Sequence, residues 1–168
     1  MIPYVACLMP QEEILLFNKI KMTIEMLPHI DLGVDEEGNE IVLSCHILAR
    51  AVAKAFKLKV QDGSFLVIYS LKKVKRLEDI DAMCDSTSHS WLLTATGNII
   101  DVYPVGILGG PILISGYDRS PAKKLYVPRS SSFVSAGSFS KPSFKRSVRR
   151  VTRQIAVVKK IFDNSFLK

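Results

Sequence analysis

Three residues of this 168-residue chain have the side-chain types of a sulfur nucleophile and its helpers: Cys45, His89 and Asp101. A thiol attacks a carbonyl efficiently only as the thiolate, so an enzyme must lower its pKa. A helix N-terminus and an adjacent imidazole both favour the thiolate. A carboxylate beside the imidazole holds the histidine in the required tautomer. We therefore expect Cys45 at a helix start, with His89 and Asp101 on neighbouring strands.

Three helices are expected from the spacing of apolar residues. One runs over about 10–27, between two prolines, and a second over about 42–56, with Ser44 and Cys45 in its first turn. A third, over about 144–162, carries an apolar stripe on an otherwise basic surface. That stripe consists of Val148, Val151, Ile155, Val158 and Ile161/Phe162.

Two pairs of strands are expected. The first pair covers 57–60 and 65–71, with a turn at Asp62-Gly63, and the second covers 89–96 and 98–103, with a turn at Gly97. In the second hairpin, His89 falls opposite roughly residue 104, and Asp101 comes within reach if the strands are staggered. Residues 76–85 are predicted as a short helix or a loop, and 104–116 as an apolar loop. A helix that presents its N-terminus to antiparallel strands is an α+β arrangement.

The domain organisation follows from composition and charge. We predict a catalytic domain over 1–127, a Ser-rich linker over 128–143 and a basic amphipathic helix over 144–168. The segment 141–168 has nine Lys or Arg and one Asp, so it carries +8 of the chain's net +7 and the remainder sums to −1. The basic helix has three possible partners: the core itself, through its apolar stripe; nucleic acid or another acidic partner; or an anionic membrane.

The cysteines and the termini bear on the cellular setting. The chain has three cysteines, and an odd number with wide spacing does not form a disulfide framework. Cys7 and Cys84 are expected to be structural. No signal peptide and no apolar run of membrane-spanning length is evident, which favours the cytoplasm. No cofactor or metal is expected, because a zinc site from Cys45, His46, Cys84 and His89 matches no structural zinc spacing.

The order and local sequences of these residues resemble the transglutaminase-like, or papain-like, superfamily over about residues 40–105. The resemblance is carried by SCHILARAVAKAF around Cys45 and by HSWLLTATGNIIDVYP, in which His89-x-Trp91 opens a strand and Asp101 precedes Pro104. It implies a papain-like fold in which the helix bearing the nucleophile packs on a small antiparallel sheet. It also implies that Cys45 forms an acyl-enzyme, His89 moves the thiol proton and Asp101 orients His89.

The resemblance further implies that the backbone N–H of Cys45 donates to the oxyanion. Candidates for a second donor are Gln11, Asn39 and Gln61. Trp91 is expected either beside the site or in the hairpin core. His46 points about 100° away from Cys45 on a helix, so we expect a surface or supporting residue rather than the base. Arg50 is expected to be solvated or paired with the acidic loop, residues 31–40, and is given no role.

The function predicted from these observations is that of a cysteine hydrolase, a peptidase or amidase, acting on a peptide or protein substrate. An acyltransferase of the same fold, which passes the acyl group to an amine, is the first alternative. A non-catalytic module that binds nucleic acid or an acidic partner through the basic helix is the second.

Overall fold

The computed structural model describes residues 9–68, 84–103, 110–114, 121–129 and 139–165, and the chain has the expected α+β architecture. The helices are α1 (Gln11–Glu25), α2 (Cys45–Phe56), α3 (Pro121–Lys124) and α4 (Pro142–Ser165). The strands are β1 (Lys59–Ile68), β2 (Cys84–Leu93), β3 (Ile99–Asp101), β4 (Ile112–Ile114) and β5 (Tyr126–Pro128). Across the described residues these strands form one antiparallel sheet in the order β4-β3-β2-β1-β5.

Helix α2 begins at Cys45, as expected, because Ser44 caps it. The Ser44 hydroxyl accepts a hydrogen bond from the Ile47 N–H at 3.4 Å. The helix ends where Lys57 takes a left-handed conformation, with φ 57° and ψ 44°, and donates its N–H to the Ala53 carbonyl. The helix therefore starts at a residue that local capping chemistry selects, and this places the nucleophile at its N-terminus.

Helix α1 lies within the span predicted for it and holds the β2–β3 hairpin. The Glu13 side chain is buried and accepts hydrogen bonds from the N–H and hydroxyl of Thr96 and from the Asn98 side chain. Burial acts to raise the pKa of Glu13, but these hydrogen bonds and one from Thr94 outweigh it and lower the pKa. A carboxylate from α1 thus fixes the turn between the strands of His89 and Asp101.

Strand β1 runs unbroken from Lys59 to Ile68, so the turn predicted at Asp62-Gly63 is wrong. Gly63 instead pairs with His89 across the β1–β2 ladder. A Cβ atom at residue 63 would collide with the carbonyl oxygen of Val127 and with the ring of Trp91. Glycine is therefore needed here for the close approach of a strand and an aromatic ring, and it does not reverse the chain.

The hairpin expected at Gly97 is present, but its strands differ in length from the prediction. Its ladder pairs Leu92 with Ile100 and Leu93 with Ile99. Strand β2 already begins at Cys84, so the helix or loop predicted over 76–85 is wrong at 84–85. The predicted loop over 104–116 contains strand β4, which forms by pairing with β3. The structure does not describe residues 69–83, 104–109, 115–120 and 130–138. The remaining parts of the predicted segments 65–71, 76–85 and 104–116, and most of the Ser-rich linker, fall on those residues.

The two faces of the sheet belong to different hydrophobic clusters. One face, with Leu92, Ile100 and Leu113, joins the core formed by the helices. The other face carries a mostly aromatic and β-branched cluster that contains Phe65, Trp91, Ile99, Ile112, Ile114 and Tyr126. Because side chains alternate along a strand, His89 belongs to the second face and Ser90 to the first.

Helix α4 begins two residues before its predicted start and packs on α2 and α1. The apolar stripe docks on the core, which is one of the three partners considered for this helix: Val148, Val151, Ile155 and Val158 are buried, whereas Ile161 is 50% exposed. The acidic loop holds the start of α4, because the Glu36 carboxylate accepts hydrogen bonds from the Ser143 N–H at 2.7 Å and the Ser143 hydroxyl at 2.6 Å. Among the described residues, no helix has both the length and the apolar character needed to cross a membrane.

Candidate active site

The Cys45 side chain is buried at the first residue of α2, with a relative exposure of 9%. The first N–H groups of a helix have no partner within the helix, and its dipole favours negative charge at this end. The β2–β3 ladder stops at Leu92, so the part of β2 that contains His89 and Ser90 extends beyond the residues that pair with β3. The N-terminus of α2 meets β2 there, since His46 is hydrogen-bonded to Ser90.

His89 and Asp101, which the sequence placed near each other, are in direct contact. His89 Nε2 lies 2.8 Å from Asp101 Oδ2, and both side chains are completely buried. The observed register puts His89 two positions from the residue directly opposite Asp101, so the pair forms diagonally across the β2–β3 hairpin. A diagonal contact of this kind is within reach of an imidazole and a carboxylate.

Asp101 is held by two further donors. The Tyr126 hydroxyl donates to Asp101 Oδ2 at 2.6 Å, and the Tyr103 backbone N–H donates to Oδ1 at 3.0 Å. Burial, followed by the charge of Asp101, raises the pKa of Tyr126, so the phenol remains a proton donor. A carboxylate with three donors in a dry site is fixed in orientation and stays an acceptor.

The thiol and the imidazole change each other's ionisation. Burial acts to raise the pKa of Cys45, but hydrogen bonds and charge from His46 and His89 outweigh it and lower the pKa to about 6. Burial acts to lower the pKa of His89, but hydrogen bonds and charge from Asp101 and Cys45 outweigh it and raise the pKa to about 9. The lowered pKa of the thiol and the raised pKa of the imidazole both favour a thiolate paired with an imidazolium.

The second ring nitrogen of His89 is also informative. Nδ1 is buried and has no hydrogen-bond partner of regular geometry in the part of the chain that the structure describes. A buried polar atom without a partner is costly and rare, so it calls for an explanation. Since Nε2 is committed to Asp101, Nδ1 is the ring nitrogen left for an interaction with the sulfur.

A second polar network surrounds His46 on the opposite face of β2. His46 Nδ1 lies 2.6 Å from Ser90 Oγ, which donates in turn to Asp62 Oδ1. Arg50 donates to Asp62 Oδ2 at 2.7 Å and to Ser90 Oγ at 3.2 Å. The expectation that Arg50 is solvated or paired with the acidic loop is therefore wrong. Its partner is Asp62, for which the sequence predicts a turn. In the structure Asp62 lies in strand β1, and this strand brings it to Arg50.

The residues that sequence reasoning missed are Tyr126, Ser90 and Asp62. The sequence does contain a signal for Ser90. In the segment SHSW, polar residues occupy successive positions of one strand, so polar side chains lie on both of its faces. Tyr126 reaches Asp101 only because β5 pairs with β1, with Phe65 opposite Tyr126. Nothing in the local sequence indicates that pairing.

The other predicted residues have the following positions. Trp91 is in the hairpin core, 1% exposed, and its ring centre is 6.2 Å from that of His89, so both expectations for it hold. Of the proposed second oxyanion donors, the Gln61 amide donates to the Asp62 carbonyl, and Asn39 is bonded to Asp35 in the acidic loop. Gln11 is exposed at the start of α1. Cys7 and the side chain of Cys84 lie outside what the structure describes.

A groove of about 520 Å³ lies beside Arg50, and its lining includes none of Cys45, His89 and Asp101. Arg50 stacks there on the Phe139 ring at 3.9 Å from its centre. The lining combines apolar and basic side chains, among them Leu58, Val60, Val148, Lys54, Lys57 and Lys145. In the described residues no group of three or more His, Cys, Asp or Glu side chains has the geometry to hold a metal ion.

The arrangement can therefore supply an ionised sulfur, a proton donor beside it and a helix N-terminus for developing negative charge, all at one point. Comparison of the chain with protein-family models, with curated proteins and with solved structures gave no match.

Proposed function

We propose that this protein is a cysteine hydrolase of papain-like arrangement that acts on amide or ester bonds of a peptide or protein substrate through an acyl-enzyme. The observation that carries the proposal is the completely buried His89–Asp101 pair, whose free nitrogen adjoins a thiol of lowered pKa. A structural cysteine in a core needs neither a lowered pKa nor a carboxylate-bound imidazole.

In the first half of the reaction the Cys45 thiolate attacks the substrate carbonyl carbon and forms the new carbon–sulfur bond. The negative charge that develops on the carbonyl oxygen lies at the start of α2, where backbone N–H groups such as that of Cys45 are unpaired. Collapse of the tetrahedral adduct breaks the bond to the leaving group. His89 protonates that group from Nδ1, and Asp101 keeps the charged imidazole stabilised until then.

The test uses the complete protein and a nitrophenyl ester of a short carboxylic acid, whose leaving group needs little protonation. We expect a burst of nitrophenol followed by slower turnover, and an acyl group on Cys45 after an acid quench and peptide mapping. Cys45→Ala should lose the burst, and His89→Ala should acylate about 100-fold more slowly at neutral pH because its thiol returns toward an ordinary pKa.

The matched control is His29→Ala, since His29 is an exposed histidine that belongs neither to α2 nor to the sheet. It should behave as the unaltered protein does. Equal acylation of Cys7, Cys45 and Cys84 in the folded protein, or none at all, would remove the proposal.

A further inference from the structure

Helix α2 places a second imidazole, His46, directly after the nucleophile, and the first half of the reaction gives it no task beyond favouring the thiolate. Three polar side chains hold this ring: Ser90 through Nδ1, and Asp62 and Arg50 through Ser90. The network is largely screened from solvent, since Ser90 is completely buried and the Arg50 and Asp62 side chains are 20% and 12% exposed. A buried network of this kind fixes the ring in one orientation.

The hydrogen bonds determine the tautomer of His46. A serine hydroxyl has one hydrogen, and Ser90 gives it to the Asp62 carboxylate, which can only accept. Ser90 Oγ is therefore an acceptor toward His46, so the proton of the neutral imidazole sits on Nδ1. The lone pair is left on Nε2, which makes the neutral ring a base at that atom and excludes it as an oxyanion donor.

Exposure separates the two histidines. His89 is completely buried, whereas His46 is half-buried. His46 Nε2 faces the exposed hydroxyl of Ser88 at 3.4 Å, a long contact that a water molecule can replace. Among the described residues that interact with the thiol, the imidazole on the solvent side is therefore that of His46.

We infer that His46 is the general base of the second half-reaction, in which it activates the water that hydrolyses the acyl-enzyme, with Ser90 and Asp62 as positioning residues. The inference rests on the proposed function, because without an acyl-enzyme there is nothing for this base to act on. A positioned base contributes typically about 10²- to 10⁴-fold to a proton transfer.

Hydrolysis of the acyl-enzyme begins with proton transfer to His46. Nε2 takes a proton from water as the water oxygen bonds to the acyl carbon, which gives a tetrahedral adduct. The adduct collapses with cleavage of the carbon–sulfur bond, and that electron pair returns to sulfur as the thiolate. The carboxylic acid leaves, and the proton on Nε2 passes to solvent, with which this half-buried ring exchanges. His89, which gave its proton to the leaving group in the first half, takes one up from solvent, and this restores the thiolate and the imidazolium.

The decisive measurement is the rate of deacylation, followed separately from acylation. The protein is acylated with the nitrophenyl ester, freed of reagent, and the acyl group on Cys45 is followed by mass spectrometry. His46→Gln should acylate on Cys45 more slowly, because the thiol loses one of the two imidazoles that lower its pKa. Once formed, the acyl group should be lost about 100-fold more slowly, with His29→Gln as the control. Deacylation of His46→Gln at the unaltered rate would overturn the inference, while absence of acyl-Cys45 in the unaltered protein would instead remove the proposed function.

Chemical rescue distinguishes a base from a structural support. In His46→Ala the half-exposed cavity should admit free imidazole, which should speed deacylation in proportion to its concentration, with no such gain in His29→Ala. Ser90→Ala should slow deacylation by about tenfold with acylation nearly unchanged, because the ring loses its fixed tautomer. Rescue that is absent in His46→Ala, or equal in the His29 control, contradicts the assignment.

Discussion

Two hydrogen-bonded arms reach the Cys45 thiol from opposite faces of β2, and they differ in their contact with water. The arm of His89 and Asp101 is completely buried, whereas the arm of His46 is half-buried and ends near the exposed Ser88. A buried ion pair shifts pKa strongly because solvent does not screen it. A half-exposed ring can instead exchange protons with molecules from solvent. In the proposed mechanism the two histidines therefore take different tasks because their surroundings differ in burial.

The largest effect should come from breaking the buried arm. In Asp101→Asn the imidazole loses the carboxylate that raises its pKa, and the thiolate then loses its counterion. We expect alkylation of Cys45 by iodoacetamide at neutral pH to slow by about 100-fold, as the thiol pKa returns toward its ordinary value. Asp62→Asn, the corresponding change in the exposed arm, should slow alkylation far less. Similar losses in the two variants would contradict the division between the arms.

The pH dependence of alkylation should sharpen the comparison. A lowered thiol pKa means that the reactive anion is present at lower pH, so the rate should rise with a midpoint at about pH 6 and then level off. The rate at about pH 5 should be roughly one tenth of the plateau, since the thiolate fraction falls tenfold per unit below the pKa. In His89→Ala the midpoint should move upward. A midpoint near that of a free thiol in the unaltered protein would show that the buried arm does not act on the sulfur.

The smallest effect should come from Tyr126→Phe, which removes one of the donors to Asp101. The carboxylate then has a lone pair without its buried partner, so we expect a loss of about 1–2 kcal/mol in the free energy of unfolding by denaturant. Tyr103→Phe is the matched control, because Tyr103 contacts Asp101 through its backbone N–H and its side chain is 42% exposed. If the two substitutions lower the free energy of unfolding equally, the phenol of Tyr126 contributes nothing specific to stability.

The parts of the fold that the sequence predicted are those that depend on near neighbours. Helix α2 followed from apolar residues at helical spacing, although its predicted start at about residue 42 lies three residues before the observed start at Cys45. The β2–β3 hairpin followed from a glycine turn between apolar segments. The turn predicted at Gly63 was wrong because that prediction, too, depended only on near neighbours. Asp-Gly is a turn signal locally, but here the glycine is required by the Trp91 ring and the Val127 carbonyl, which are distant in sequence.

The candidate site divides in the same way. Cys45, His89 and Asp101 could be selected because their types and order suggest one chemistry. The partners of Asp101 and His46 could not, because Tyr126 and Ser90 reach them through strand pairings that span the chain. Strand β4 was likewise hidden, since three apolar residues between glycines have no period of their own.

By itself, the sequence determined that a thiol begins an amphipathic helix and that an imidazole and a carboxylate follow on a hairpin, because capping, periodicity and turn chemistry act over a few residues. Only the tertiary structure decided which carboxylate is linked by hydrogen bonds to which histidine and which imidazole is completely buried. Burial and long-range strand pairing set both outcomes, and neither is a property of any short segment.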